Sequence, residues 1–476
     1  MSSAPIPASD RVPLFQKIMF ATGENMNFAC TGLMTSVLWM PFFNIGLGMK
    51  PYILGIILMI YRGWDAITDP IIGNISDNAR TRWGRRRPFL VVGAILTATM
   101  YPVFWHIPLD LTDQARVTYL IVVGMIYFTV YTVWSMPYYG FQLELTPNYD
   151  ERTNISAWCT LFGKFGFFIG GWVLAIATSS YFANPETGKP DIIAGMRVIS
   201  WFIAGCILVV GLLPALFVKE RYYQHEVASK PKPRLGFWQS IRESSNCRPL
   251  WFLVGAAFCL VLGTGAVSTL GQYLNYYYVN HGDLQAANII SGWKTSVIVV
   301  SGIVCIPLWS WLGKRYDKKA VVAAMLLTSL LGHLLNIVCM TPDYPYLQII
   351  SGVFESGAIS AVWLFIPSMK ADAADYDEQL TNRRREGSIN AFFSWFVKVA
   401  HTCAFFVGGV LLEFTGFTDP KLGDQPPEVL HRMMVIYIAL PTFVWGLGLL
   451  CLWRYPLNRE KMLVIRADLE ARRGTV

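Results

Sequence analysis

Asp65 and Asp69 stand four residues apart, with Arg62 one turn before them and Pro70 directly after, in the stretch Tyr61 to Pro70. On a helix, positions 62, 65 and 69 share a face. The run from Tyr52 to Ser76 is otherwise largely apolar. If it crosses a membrane, these charges lie near its middle, where charge is costly and marks a functional site by default. Two carboxylates in a low dielectric repel, so one takes up a proton unless a cation joins them. The pair is therefore suited to hold Na⁺ or to exchange H⁺. Pro70 has no N–H, so the carbonyl of Ala66 loses its helical partner and becomes an oxygen ligand for a hard cation. Pro137 does the same for Val133, beside Thr132, and Thr68 and Thr132 add neutral hydroxyls. These oxygens favour Na⁺ over H⁺ as the coupling ion, and no other cofactor is expected. A plainer alternative stays open, in which Arg62 simply neutralises Asp65 as a structural pair.

Lys164 and Lys398 fall inside apolar runs and are suited to hold the carboxylates when the cation is absent, or to bond sugar hydroxyls. Lys294, near the start of its run, reads as a lysine that snorkels to the interface. Glu24 and Asn27, with Asn25 beside them, and Glu355 offer further hydrogen-bonding groups. Trp64, Trp134, Tyr138, Tyr139, Trp363 and Trp395 offer faces for a sugar ring. Aromatics in membrane helices more often serve packing or interface anchoring. Two charge-dense runs, Arg80 to Pro88 and Asp372 to Glu386, suggest salt-bridge gates at helix ends built from Asp77, Arg85, Arg86, Asp372, Asp375, Glu378 and Arg385. The competing reading is solvated loops.

The elements that position these groups follow from composition. Of 476 residues, 54% are hydrophobic and 15% charged, against about 25% charged in a soluble domain. A soluble protein this apolar exposes sticky surface; lipid removes the difficulty. Apolar runs long enough to span a bilayer fall at 15–46, 52–75, 89–107, 117–140, 154–181, 198–218, 250–279, 288–311, 320–340, 346–369, 387–415 and 433–453, predicting an all-α polytopic protein of twelve transmembrane helices. Lys and Arg concentrate in alternate connections, which places both termini in the cytoplasm. The net charge of +8 is thus a topological signal and implies no nucleic-acid partner. The first residues show no secretory signal peptide.

Internal similarity divides the chain. Tyr149-Asp150-Glu151 recurs as Tyr376-Asp377-Glu378, and Phe167-Phe168-Ile169-Gly170-Gly171 as Phe405-Phe406-Val407-Gly408-Gly409. The expected plan is a six-helix bundle at 1–218, a cytoplasmic loop at 219–249, a second bundle at 250–453 and a cytoplasmic tail at 454–476. Two parallel halves with binding groups at their interface is a transporter architecture that alternates access. The nine Cys show neither metal spacing nor a disulfide pattern, and the six His are scattered; neither supports an enzyme. A non-transporting sensor would be expected to carry an extra soluble domain.

Three motifs together resemble the glycoside–pentoside–hexuronide:cation symporter family of the major facilitator superfamily. They are Trp64-Asp65-Ala66-Ile67-Thr68-Asp69-Pro70, Arg82-Trp83-Gly84-Arg85-Arg86-Arg87-Pro88-Phe89, and Ala371-Asp372-Ala373-Ala374-Asp375-Tyr376-Asp377-Glu378 followed by Arg385-Glu386-Gly387. The second also resembles plant sucrose–proton symporters. The resemblance covers nearly the whole chain and implies the two-bundle major facilitator fold. It implies that Asp65 and Asp69 hold the cation with Thr68 and Thr132, that Lys398, with Arg62, couples cation and sugar, and that Lys164 touches the sugar. Where the family's galactoside carrier has two sugar-binding aspartates, this chain has Asn27 and Ser135, so galactoside specificity does not carry over. An anionic sugar such as a uronide and a neutral glycoside both remain open. Distant relatives in animals carry lysophospholipids, which makes an amphipathic lipid-like substrate an alternative. A monomer in the cell membrane, a bacterial inner membrane, is expected.

Overall fold

The computed structural model describes residues 11–146, 149–185, 187–220, 247–381, 386–417 and 425–473. The chain forms two compact units, Met1–Lys232 and Pro233–Val476. Among the described residues, nine helices are long and apolar enough to cross a membrane.

In the first unit, the expected span at 15–46 is broken into α1 (Leu14–Ala21), α2 (Gly23–Asn27) and π-helical turns at Phe28–Leu38 and Pro41–Gly46. The break between α1 and α2 is a change of hydrogen-bond register, because Thr22 keeps helical dihedrals (φ −57°, ψ −27°). Then come α3 (Pro51–Asn78), α4 (Arg87–Trp105), α5 (Asp113–Glu144), α6 (Tyr149–Ala177) and α7 (Ile192–Phe217). α3 has 28 residues but is polar in its second half, with Asp65, Asp69, Asn74, Asp77 and Asn78. Pro51 opens it at the first-turn position, where a missing N–H costs nothing.

α3 packs on α5, and α4 packs on both α5 and α7. Glycines allow the close approach. Tyr61 fills the space beside Gly124 and donates its hydroxyl to the carbonyl of Leu120 at 2.6 Å. Trp134 lies over Gly93 and donates its indole N–H to the carbonyl of Gly211 at 3.1 Å. Tyr61 thereby fixes α3 against α5 one turn before Asp65.

The second unit contains α8 (Arg248–Tyr273), α9 (Leu284–Val304), α10 (Ile306–Arg315), α11 (Lys318–Cys339), α12 (Gln348–Leu364), α13 (Ile366–Thr381), α14 (Glu386–Phe414), α15 (Pro427–Arg454) and α16 (Arg459–Arg473). The expected span at 346–369 ends as α12, and α13 starts afresh. Pro367 has no N–H for the carbonyl of Trp363, so the helix is interrupted there. α8 packs on α14 and α15, α12 on α9 and α11, and α13 on α16.

Candidate functional site

On α3, the Arg62 guanidinium meets the Asp65 carboxylate at 3.2 Å, three residues apart on one helix. Asp65 is 7% exposed. Asp69, half-buried one turn on, accepts a hydrogen bond from the Thr132 hydroxyl of α5 at 3.3 Å. Thr132 and Thr68 are both buried. The Thr68 hydroxyl donates back to the carbonyl of Trp64 at 3.2 Å, which leaves its oxygen lone pairs as acceptors. α3 runs unbroken through Pro70 and α5 through Pro137, so the carbonyls of Ala66 and Val133 lack helical N–H partners. The arrangement is two carboxylates, one guanidinium and several neutral oxygens on facing turns. Among the described residues, no group of three or more His, Cys, Asp or Glu could hold a metal ion, so a cation here depends on two carboxylates and neutral oxygens.

A second cluster sits where α2 meets α5. The Asn27 side-chain amide donates to the Tyr139 hydroxyl at 2.7 Å and to the Glu24 carboxylate at 3.2 Å, and its oxygen accepts from Tyr131. Glu24, Asn27 and Tyr139 are therefore brought together. Ser135 is buried on the same face of α5 as Tyr131 and Tyr139, and among the described hydrogen bonds none joins it to Asn27. α6 reaches this cluster through Gly163 and Gly166, which face Glu24 and Asn25, and Lys164 is half-buried on that turn. Tyr131 was missed in the sequence reading. Its signal was the i, i+4, i+8 stripe of Tyr131, Ser135 and Tyr139. Of the wider set of aromatics, Trp134 and Tyr138 are corrected to fully buried packing residues, while Trp64 is half-buried and donates to the Thr129 hydroxyl of α5 at 2.8 Å.

The basic stretch between α3 and α4 is tied within its own unit. Arg86 meets Asp77 at 2.8 Å and Glu144 at 2.9 Å, and Arg85 also pairs with Glu144. Glu220, just past α7, accepts the backbone N–H groups of Arg85, Arg86 and Arg87 at 2.7, 2.8 and 3.1 Å. Gly84, at φ +109°, leaves room for that carboxylate where a side chain would clash. Gly140 does the same for the Arg86 guanidinium. Sequence reading found Asp77, Arg85 and Arg86 but not Glu144 or Glu220, two isolated acids at the ends of otherwise apolar helices.

In the second unit, Asp372 pairs with Lys318 at 2.6 Å, and Asp375 and Glu378 are half-buried on α13. Arg385 and the side chain of Trp363 lie outside the described residues. Lys398 and Trp395 are on α14, and Trp395 is 36% exposed. Two expectations are overturned. Lys294 does not snorkel: its ammonium meets Glu355 at 3.1 Å across α9 and α12. Glu355, read as a sugar-bonding group, is committed elsewhere. The same carboxylate oxygen also accepts from the Asn336 amide at 3.0 Å and the Ser351 hydroxyl at 3.3 Å. Neighbouring His333 bonds the carbonyl of Tyr437 through Nε2 at 2.9 Å. Lys294 lies further into its helix than the sequence-drawn boundary implied, so its short distance to Glu355 wins over the reach to water.

Residues 20–459 match the family described as MFS/sugar transport protein. A sodium-dependent lysophosphatidylcholine symporter 1-B of Danio rerio is 25% identical, over 87% of this chain and 81% of the relative. The putative glycoside/cation symporter YagG of Escherichia coli (strain K12) is 25% identical over 90% and 89%. The crystal structure of a bacterial homolog to the human lysosomal transporter Spinster aligns with a TM-score of 0.63 at 15% identity, covering 98% of this chain and 99% of that one. That likeness gives the fold: an all-helical, multi-span membrane protein of the major facilitator type. With the family match covering most of its length, the chain belongs to the MFS/sugar transport protein family, a family of transporters and not of enzymes.

Proposed function

We propose that the chain is a secondary active symporter that couples inward movement of Na⁺ to uptake of a sugar or glycoside by alternating access. One observation carries the reading: Thr132 reaches Asp69 beside the Arg62–Asp65 pair, so carboxylates and neutral oxygens converge between α3 and α5. Neutral oxygens serve Na⁺ better than a bare proton. H⁺ at the same carboxylates is the alternative ion. Asn27, Glu24, Tyr139, Ser135 and Lys164 line the sugar path of the first unit. Trp395 and Trp363 serve the second, and Lys398 and Arg62 link ion to sugar. Coupling requires that each ligand favour the other's binding by the same free energy. Asp77, Arg85 and Arg86 in one unit and Asp372, Asp375, Glu378 and Arg385 in the other form the cytoplasmic gate. Both termini face the cytoplasm of a bacterial inner membrane, and the protein works as a monomer.

A second reading has its own support. The lysophosphatidylcholine symporter is as similar to this chain as the glycoside symporter, so an amphipathic lipid-like substrate is the runner-up. The test is uptake into proteoliposomes under a Na⁺ gradient or a pH gradient imposed separately. The panel contains neutral glycosides, uronides and lysophosphatidylcholine. Na⁺-driven accumulation of a glycoside or uronide is the expected result. Accumulation of the lysolipid alone selects the second reading, and accumulation driven only by pH replaces Na⁺ with H⁺.

A further inference from the structure

We propose that the second unit carries a binding site for the phosphate headgroup of an anionic phospholipid, where α10, α11, α13 and α16 meet. A cavity of about 410 Å³ lies there, lined by Lys318, Lys319, Arg459, Asn458, Tyr455 and Asp372 among others. Two of the acids nearby are engaged. Asp372 holds Lys318 at 2.6 Å, and Asp317 accepts the backbone N–H of Arg459 at 2.9 Å. Among the described residues, Lys319 has no carboxylate partner; its ammonium lies 3.4 Å from the carbonyl of Tyr455. Lys318, Lys319, Arg459 and Lys461 set against Asp317, Asp372 and Glu460 leave one net positive charge around a hollow of headgroup size.

The surroundings select a lipid rather than a soluble anion. Arg459 follows closely on Arg454, the last residue of the long apolar helix α15, so the cavity sits where a membrane span ends. α16 is apolar on two sides. Met462, Ile465 and Leu469 are buried, and the helix packs on α13. Leu463 and Val464 are 63% and 68% exposed. Leu463 also lines the cavity, and Tyr316, another lining residue, is 53% exposed. Lys461 lies beside these apolar side chains. A helix with basic and apolar side chains on its free surface lies in the headgroup layer, and basic pockets at the ends of spans take anionic headgroups. The shared chemistry is a phosphate oxyanion held by ammonium and guanidinium N–H donors; the apolar rim takes the adjoining acyl chain.

The test uses the full chain in detergent, titrated separately with phosphatidylglycerol, phosphatidylcholine and inorganic phosphate. Native mass spectrometry reads retained lipid, and thermal unfolding reads stabilisation. Phosphatidylglycerol should be retained and raise the unfolding midpoint. The double variant Lys319→Gln/Arg459→Gln should weaken retention roughly 25-fold, at about fivefold per basic group. Lys319→Arg/Arg459→Lys, which keeps both charges, should retain the lipid. Equal retention of phosphatidylcholine, equal loss in the charge-preserving variant, or stabilisation by inorganic phosphate at the same concentration would overturn the assignment.

Discussion

Arg62 and Asp65 meet on a single helix at 3.2 Å, whereas Lys294 and Glu355 meet across two helices at 3.1 Å. Both pairs are largely buried, yet their surroundings differ. One Glu355 oxygen accepts from an ammonium, an amide and a hydroxyl, and the formal charges of the pair sum to zero. On α3 a second carboxylate, Asp69, stands one turn away and accepts from the Thr132 hydroxyl of α5. A balanced, saturated pair binds helices together and invites no ion. Two carboxylates on successive turns, with neutral oxygens facing them, are the donor set proposed above for the transported cation. Two buried ion pairs can thus differ in kind: one is saturated by its neighbours, the other stands beside a second carboxylate.

The sharpest way to break this contrast is Asp69→Asn, which removes the second carboxylate. Cation-driven accumulation of substrate in proteoliposomes should vanish, leaving at most equilibration. A variant that still concentrates substrate against a gradient sinks the coupling role of α3.

For the second unit the expected effect is on stability. Lys294→Met strands Glu355 and should cost about 3–5 kcal/mol, while Lys294→Met/Glu355→Leu should recover most of it. Thermal unfolding in detergent measures both. If the double variant is no more stable than the single, the pair is not a self-contained ionic clasp.

Smaller effects probe details of the first unit. Gly140→Ala pushes against the Arg86 guanidinium and should destabilise the unit by about 1–3 kcal/mol. An unchanged unfolding midpoint would show that Arg86 yields freely. Thr132→Val removes the hydroxyl at Asp69 and should weaken apparent cation affinity about fivefold, equivalent to roughly 1 kcal/mol. That shift should appear in the cation concentration needed for half-maximal uptake, and no shift there separates Thr132 from the ion.

Much of this was legible in the sequence, and the limits have physical causes. Apolar length located the helices, because the bilayer fixes the number of residues a span needs. Asp65 and Asp69 were visible because charge is rare in such runs. The segmentation of the first span was not, since a change from α to π hydrogen bonding leaves the hydropathy pattern almost untouched. Partners from distant helices were also hidden. Glu144 and Glu220 are unremarkable in the chain and acquire meaning only when α5 and α7 bring them to the arginines. Lys294 was misread because its distance from a helix end is a weaker guide than the carboxylate facing it.

The carboxylate of Glu220 also sets an order of events during synthesis. The backbone N–H groups of Arg85 to Arg87 wait for an acceptor that leaves the ribosome 133 to 135 residues later. At about 5–20 residues per second, that delay is roughly 7–27 seconds. Until Glu220 is in place, those three backbone N–H groups have only water or lipid headgroups to bond, while the Arg85 and Arg86 side chains already have Asp77 and Glu144. The first unit is therefore closed by its last helix, and a nascent chain stopped before Glu220 would hold the Asp77 and Glu144 pairs without the carboxylate that caps the backbone of the turn.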